Sequence, residues 1–152
     1  MRIARVGADD LDDLLPLMRG YCDFYEVAPS DDELRALCLE LIANPDSAGL
    51  QLIARDEEGR TPLGFATIFW SYSTLSASRI AIMNDLYVAP DARRGGVGAA
   101  LIAACEAECG ARDVSTLEWQ TAHSNTRAQS LYDTSGAERS EWLTYTLAVT
   151  RR

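Results

Sequence analysis

No apolar run in this chain approaches the roughly 18 residues that a membrane-crossing helix needs, so no membrane partner is expected. Nor does Met1 to Val6 lead into a signal-peptide core, because Gly7 to Asp13 are largely polar. Cysteine is sparse: Cys22, Cys38, Cys105 and Cys109 lie in helical patterns without a disulfide-like framework. A reduced, cytoplasmic setting is the expectation that follows. Cys105 and Cys109, four apart, would share a helix face, and the lone His123 is the one obvious soft third ligand for a metal. Burial of both thiols as small hydrophobes is the stronger reading, and no metal is expected. Cations are also in short supply. With Lys and Arg totalling 14 against 23 Asp and Glu, the formal charge of −9 disfavours nucleic acid or an anionic membrane as the main partner. It suits a cationic one. No G-x-G-x-x-G is present and no Lys-Ser or Lys-Thr follows the glycines, which removes the dinucleotide fingerprint and the P-loop. Without an internal repeat, a low-complexity tract or a linker, the 152 residues read as a single domain over 1–152 with one core.

What the chain does have is the stretch from Met83 to Gly98. It reads as a buried strand to Val88, a turn begun by Pro90, a basic glycine-rich loop, and then a helix rich in Ala and Leu. Gly95, Gly96 and Gly98 allow a close backbone approach and leave amide N–H groups uncovered. The helix that starts there adds its own unsatisfied N–H groups and positive dipole end. Arg93 and Arg94 add charge, so the stretch is suited to phosphate, and to pyrophosphate most of all.

The remaining pattern supplies a full set of elements. Ile3 to Val6 reads as a short strand, and Asp9 or Asp10 caps a helix with apolar positions from Leu11 to Tyr25, interrupted by Pro16. After the turn at Pro29 to Asp32, a second helix carries Leu34, Leu37, Cys38, Leu41 and Ile42 and ends near Asn44. Leu50 to Arg55 and Pro62 to Tyr72 form a hairpin, and Arg79 to Val88 is the central strand. Ala99 to Cys109 is a helix stopped by Gly110, Ser115 to Thr121 a strand, and Asn125 to Ser135 a helix stopped by Gly136. Beyond it, Leu143, Tyr145, Leu147 and Val149 alternate, which predicts one or two further strands over 137–149.

The spacing Arg93-x-x-Gly96-x-Gly98, behind Asp85-Leu86-Tyr87-Val88, resembles the acetyl-CoA loop of the GCN5-related N-acetyltransferases. Their pattern there is Arg/Gln-x-x-Gly-x-Gly/Ala, after a strand and before a helix. Asn125, Ala128, Leu131-Tyr132 and Gly136 match the family's fifth-strand and fourth-helix motif in the same register. The element order β-α-α-β-β-β-α-β-α-β-β matches over nearly the whole chain. The resemblance implies a mixed α/β (α+β) fold, with a mainly antiparallel central sheet of about seven strands flanked by four helices.

It also implies chemistry. Leu86, Tyr87, Val88, Arg93, Arg94, Gly95, Gly96, Val97, Gly98, Ala99 and Asn125 would line acetyl-CoA, used as a co-substrate without a metal. Tyr132 matches the tyrosine that protonates the departing thiolate, and Asp85 or Glu118 would take the proton of the attacking amine, directly or through water. Where polyamine acetyltransferases carry two adjacent acids, this chain has Asn84-Asp85. Tyr25 and Glu26, with Glu118, would meet the acceptor, an aromatic wall and a carboxylate being suited to ammonium. The implied acceptor is a small cationic amine; a protein lysine or N-terminus, and a non-catalytic acyl-CoA sensor, are the alternatives. A homodimer is a family expectation.

Overall fold

The structure is a computed structural model that describes residues 1–150. Five strands form one sheet in chain order: β1 (Arg2–Arg5), β2 (Gly49–Arg55), β3 (Pro62–Ser73), β4 (Ser78–Val88) and β5 (Leu117–Glu118). Neighbours from β1 to β4 pair antiparallel, and β4 pairs parallel with β5. Four helices flank the sheet: α1 (Leu11–Phe24), α2 (Asp31–Ala43), α3 (Val97–Gly110) and α4 (Thr126–Asp133). No helix among the described residues is long and apolar enough to cross a membrane.

Strand alternation sorts the core into two layers. On β2, Leu50, Leu52 and Ala54 pack with Leu101, Ile102 and Cys105 of α3. Ile53, between them in sequence, packs on the opposite face with Leu14, Met18 and Cys22 of α1 and Cys38 of α2. All four cysteines are buried free thiols, as core packing requires. Among the described residues no group of three His, Cys, Asp or Glu is placed to hold a metal ion.

Local chemistry explains the helix ends. Ser30 accepts from the Glu33 N–H at 3.2 Å while the Ser30 N–H donates to the Glu33 carboxylate at 2.8 Å, a reciprocal cap that starts α2. α1 follows a 3₁₀ turn over Ala8–Asp10 and runs through Pro16. Arg55 of β2 ties that start to the sheet through Asp10 (2.8 Å) and Asp13 (2.9 Å).

The expected seven strands are corrected to five. The alternating stripe over 137–149 forms no strand, and Trp142, Leu143, Tyr145, Leu147 and Val149 are 78–90% exposed. Alternation specifies a face that can be buried; it does not supply the edge that buries it. β5 likewise shrinks from the expected Ser115–Thr121 to Leu117–Glu118.

Candidate active site

The site begins with an irregularity in β4. Thr67 of β3 faces Asp85, whereas its neighbour Ile68 faces Met83, so Asn84 is an extra, bulged residue. The bulge puts Met83 in the α3 layer and turns Asp85 toward α1. It also coincides with the end of pairing between β4 and β5, which is confined to Ala81–Leu117 and Ile82–Glu118. Past those pairs the two strands separate, and a cleft opens between them.

One wall of the cleft is Met83, Asn84, Leu86, Tyr87 and Val88 of β4; the other is Trp119 and Gln120, just after β5. Tyr21, Phe24 and Tyr25 of α1 close one end. Asn125, Arg127, Ala128, Leu131 and Tyr132, from α4 and its start, form another side, and Arg93 lies at the loop. The Asn125 side chain caps α4 by accepting from the Ala128 N–H at 3.2 Å, which fixes the helix entry beside the cleft. Tyr132 packs edge-on against Trp119 with ring centroids 5.4 Å apart. Burial raises its phenol above the ordinary tyrosine range, and the nearby Tyr25 adds to the shift, so Tyr132 remains a protonated donor at pH 7.

At the loop, Arg94 (φ 67°) and Gly96 (φ 76°) adopt left-handed conformations, of the kind from which nests of N–H groups are built. The Arg93 guanidinium donates back to the Val88 carbonyl at 3.1 Å and braces the turn. Among the described residues the backbone N–H groups from Arg94 to Ala99 find no acceptor, and the first that does is Ala100, donating to Gly96 at 3.0 Å. Gly98 is needed for a different reason: a Cβ there would stand 2.8 Å from Leu131, so its absence lets α4 pack onto α3. Amides without an acceptor at the start of a 14-residue helix are suited to an anion.

Asp85 lies beneath this cleft and is not part of its lining; it is 8% exposed. It accepts from the Asn84 amide at 2.9 Å and faces Thr67, which in turn accepts from the Gln51 amide at 3.1 Å. Burial raises the Asp85 carboxyl above its usual range, while hydrogen bonds from Thr67, Tyr21 and Asn84 pull the other way. The loop residues Arg94 to Ala99 follow Arg93 outside the cleft lining, and Glu26 and Glu118 also lie outside it. Glu26 follows the end of α1 with φ 56°, and Glu118 sits in register with Ile82 on β5 with an exposed side chain. Sequence reasoning missed Trp119, Gln120 and Arg127 as cleft residues, and Gln51 and Thr67 as supports of Asp85. The last pair carried a signal, being polar residues inside otherwise apolar strands.

Helix α1 reaches the cleft because of Gly20. A Cβ at that position would meet the Tyr87 hydroxyl at 2.4 Å and its ring carbon at 2.9 Å. Tyr87 has little room to retreat, with the Phe65 and Tyr21 rings 6.2 and 6.4 Å away. Gly20→Ala is therefore expected to destabilise by about 1–3 kcal/mol through overpacking, despite the roughly 1 kcal/mol that Ala gains over Gly in a helix. Denaturant unfolding measures it, and adding Tyr87→Phe should recover part of the loss by removing the nearest atom.

The model of the acetyltransferase (GNAT) family matches residues 14–137. This chain belongs to that family. The acetyltransferase is 32% identical over 138 residues to an uncharacterized N-acetyltransferase, YhfO, of Bacillus subtilis (strain 168), covering 91% of this chain and 90% of that one. It is 36% identical over 90 residues to a phosphinothricin N-acetyltransferase of Alcaligenes faecalis, covering 59% of this chain and 43% of the relative. The crystal structure of a probable acetyltransferase superposes with a TM-score of 0.85 at 30% identity, over 100% of both chains. The protein is thus an N-acetyltransferase by family, and enzymes of this fold use acetyl-CoA as co-substrate.

Proposed function

We propose that this acetyltransferase moves the acetyl group of acetyl-CoA to a primary amine by direct attack, with both substrates bound together. The observation that carries the reading is the row of amides without an acceptor from Arg94 to Ala99, next to Arg93 of a cleft that also holds a protonated Tyr132. In this reading those amides, with Arg93 and Arg94, hold the pyrophosphate. The arm that carries the thioester runs between β4 and the segment after β5, along Leu86, Tyr87 and Val88, with Asn125 at the helix entry. A backbone N–H of β4 near the acetyl carbonyl stabilises the oxyanion that forms on attack, a contribution of several kcal/mol when the donor is preorganised. Tyr132 then gives its proton to the leaving sulfur.

The attacking nitrogen needs a base. An amine of ordinary pKa, about 10.4, is roughly 99.9% protonated at pH 7, and freeing its lone pair costs about 4–5 kcal/mol. Asp85 is the assigned acceptor of that proton. The acceptor molecule is a small cationic amine, received by the aromatic faces of Tyr21, Phe24 and Tyr25; Glu26 and Glu118 contribute at longer range. A single catalytic domain, a homodimer and a reduced cytoplasmic setting complete the proposal, the last supported by four unpaired thiols.

Release of CoA in the presence of acetyl-CoA and a panel of amines tests this, alongside calorimetric binding of acetyl-CoA. Tyr132→Phe is expected to lower kcat about 10- to 100-fold with acetyl-CoA affinity unchanged. Tight binding without turnover on any amine would convert the reading to an acyl-CoA sensor.

A further inference from the structure

The cleft holds a puzzle for proton transfer. None of its lining residues is an Asp, Glu, His or Lys, so nothing in direct contact with a bound amine is a competent base at pH 7. The carboxylate of Asp85, flanked in β4 by the lining residues Asn84 and Leu86, is buried one layer down. Three groups surround it: Thr67 across the β3–β4 register, the Asn84 amide at 2.9 Å, and the Tyr21 hydroxyl. Thr67 and Asn84 belong to the sheet. Tyr21 and Asn84 both line the cleft and both reach toward Asp85, but only the Tyr21 hydroxyl can accept one proton while giving up another.

Its geometry suits a relay. The Tyr21 hydroxyl reaches the Asn84 carbonyl at 3.4 Å, too long to hold its proton firmly. The ring is clamped edge-on by Tyr25 (5.0 Å) and Phe65 (6.0 Å), so the hydroxyl is positioned while its O–H can rotate.

We propose that Tyr21 carries the acceptor's proton from the cleft to Asp85. This rests on the transferase reading above and adds a catalytic residue to it. One N–H bond of the ammonium breaks, leaving its electron pair on nitrogen, and the proton bonds to the Tyr21 oxygen. In the same step the original Tyr21 proton passes to an Asp85 carboxylate oxygen. Tyr21 ends neutral and Asp85 protonated, and no phenolate forms. That suits a tyrosine whose ionisation is strongly opposed by burial and by Asp85 itself. The nitrogen then forms its bond to the acetyl carbon, the C–S bond breaks, the thiolate takes the Tyr132 proton, and the Tyr132 phenolate recovers a proton from the second N–H bond that the nitrogen gives up on becoming an amide. Asp85 is reset by the reverse route when the product leaves.

The groups facing Asp85 are Tyr21 and Cys22 of α1, Cys38 of α2, Thr67 of β3 and Asn84 of β4; none of them is a cation. Its titration therefore stays above the ordinary carboxylate range and marks the acid limb of kcat/KM in the wild type.

Tyr21→Phe, which keeps the ring and its packing, tests the relay. Expected are a fall in kcat of about 100-fold at pH 7, loss of that acid limb, and unchanged acetyl-CoA affinity by calorimetry. Tyr21→Phe/Asp85→Asn should be no slower than Asp85→Asn alone, because two members of one relay are lost only once. A Tyr21→Phe enzyme within about threefold of wild type that keeps the acid limb would overturn the relay and leave the transferase reading intact. A fall confined to KM would overturn it too, leaving Tyr21 only its part in receiving the amine. Should Asp85→Asn not fold, the pH profile of Tyr21→Phe decides alone. A wild type that turns over no amine would overturn both readings.

Discussion

Gly96→Val is expected to weaken acetyl-CoA binding about 100-fold, or roughly 2.8 kcal/mol, while leaving the fold in place. Gly96 sits at φ 76°, where a β-branched residue is strongly disfavoured, so the substitution forces the backbone out of the left-handed region. That rotation re-aims the N–H groups from Arg94 to Ala99, which have no internal acceptor to hold them. Nothing lies within 4 Å of a Cβ at this position, so the damage comes from the backbone angle and not from a clash in the core. Calorimetric titration with acetyl-CoA measures the loss, and circular dichroism checks the fold. Gly98→Val makes the contrasting case. There the obstacle is Leu131 at 2.8 Å, and the expected result includes a lowered melting temperature as α4 is pushed off α3. Wild-type affinity in Gly96→Val would remove the amide row as the pyrophosphate receptor.

Asp85→Asn is expected to lower kcat about 100-fold and, at the same time, to make the protein more stable at pH 7. Burial raises the folded-state pKa of Asp85 above its unfolded value. Between those two values the folded chain holds a proton that the unfolded chain has released, so stability falls as pH rises through that window. Above the window the deficit is constant, and below the ordinary carboxylate pKa, about 3.9, it is absent. Asparagine carries no charge to desolvate and still offers an oxygen to the Asn84 amide and Tyr21. Urea unfolding at pH 7 should therefore favour the variant, and the advantage should shrink as pH falls toward 4. A variant less stable than wild type at pH 7 would mean that its hydrogen bonds outweigh the buried charge. Activity and stability moving in opposite directions at one residue is what a buried base predicts, since a merely structural acid would lower both when removed.

These two residues differ in how far the sequence revealed them. Gly96 was legible because its role is local. Consecutive glycines before an Ala- and Leu-rich run specify a left-handed turn and a helix start within a few residues, and α3 begins at Val97, two positions before the expected Ala99. Asn125 was legible for the same reason, as the cap of one short helix, although α4 ends at Asp133, before the expected stop at Gly136. Asp85 was legible as a candidate but not as a buried group under the cleft. Its side depends on the bulge at Asn84, and a single extra residue moves a side chain to the other face of the sheet. Glu118 looked equivalent to it as a base in sequence, and Glu26 read as a carboxylate for the acceptor; their places outside the cleft lining come from the register of β5 on β4 and from the end of α1.

The sequence by itself determined the four helices, the order of the elements, the glycine-rich loop and the family, because each depends on contacts within a turn or on a linear motif. Only the tertiary structure decided where β4 and β5 part, that Trp119 and Tyr132 share a wall, that Gln51, Thr67 and Asp85 form one polar row, and that the last apolar stripe stays outside the sheet. Each of those depends on the pairing of residues far apart in the chain, and alternation states that a strand has a face without stating what lies across from it.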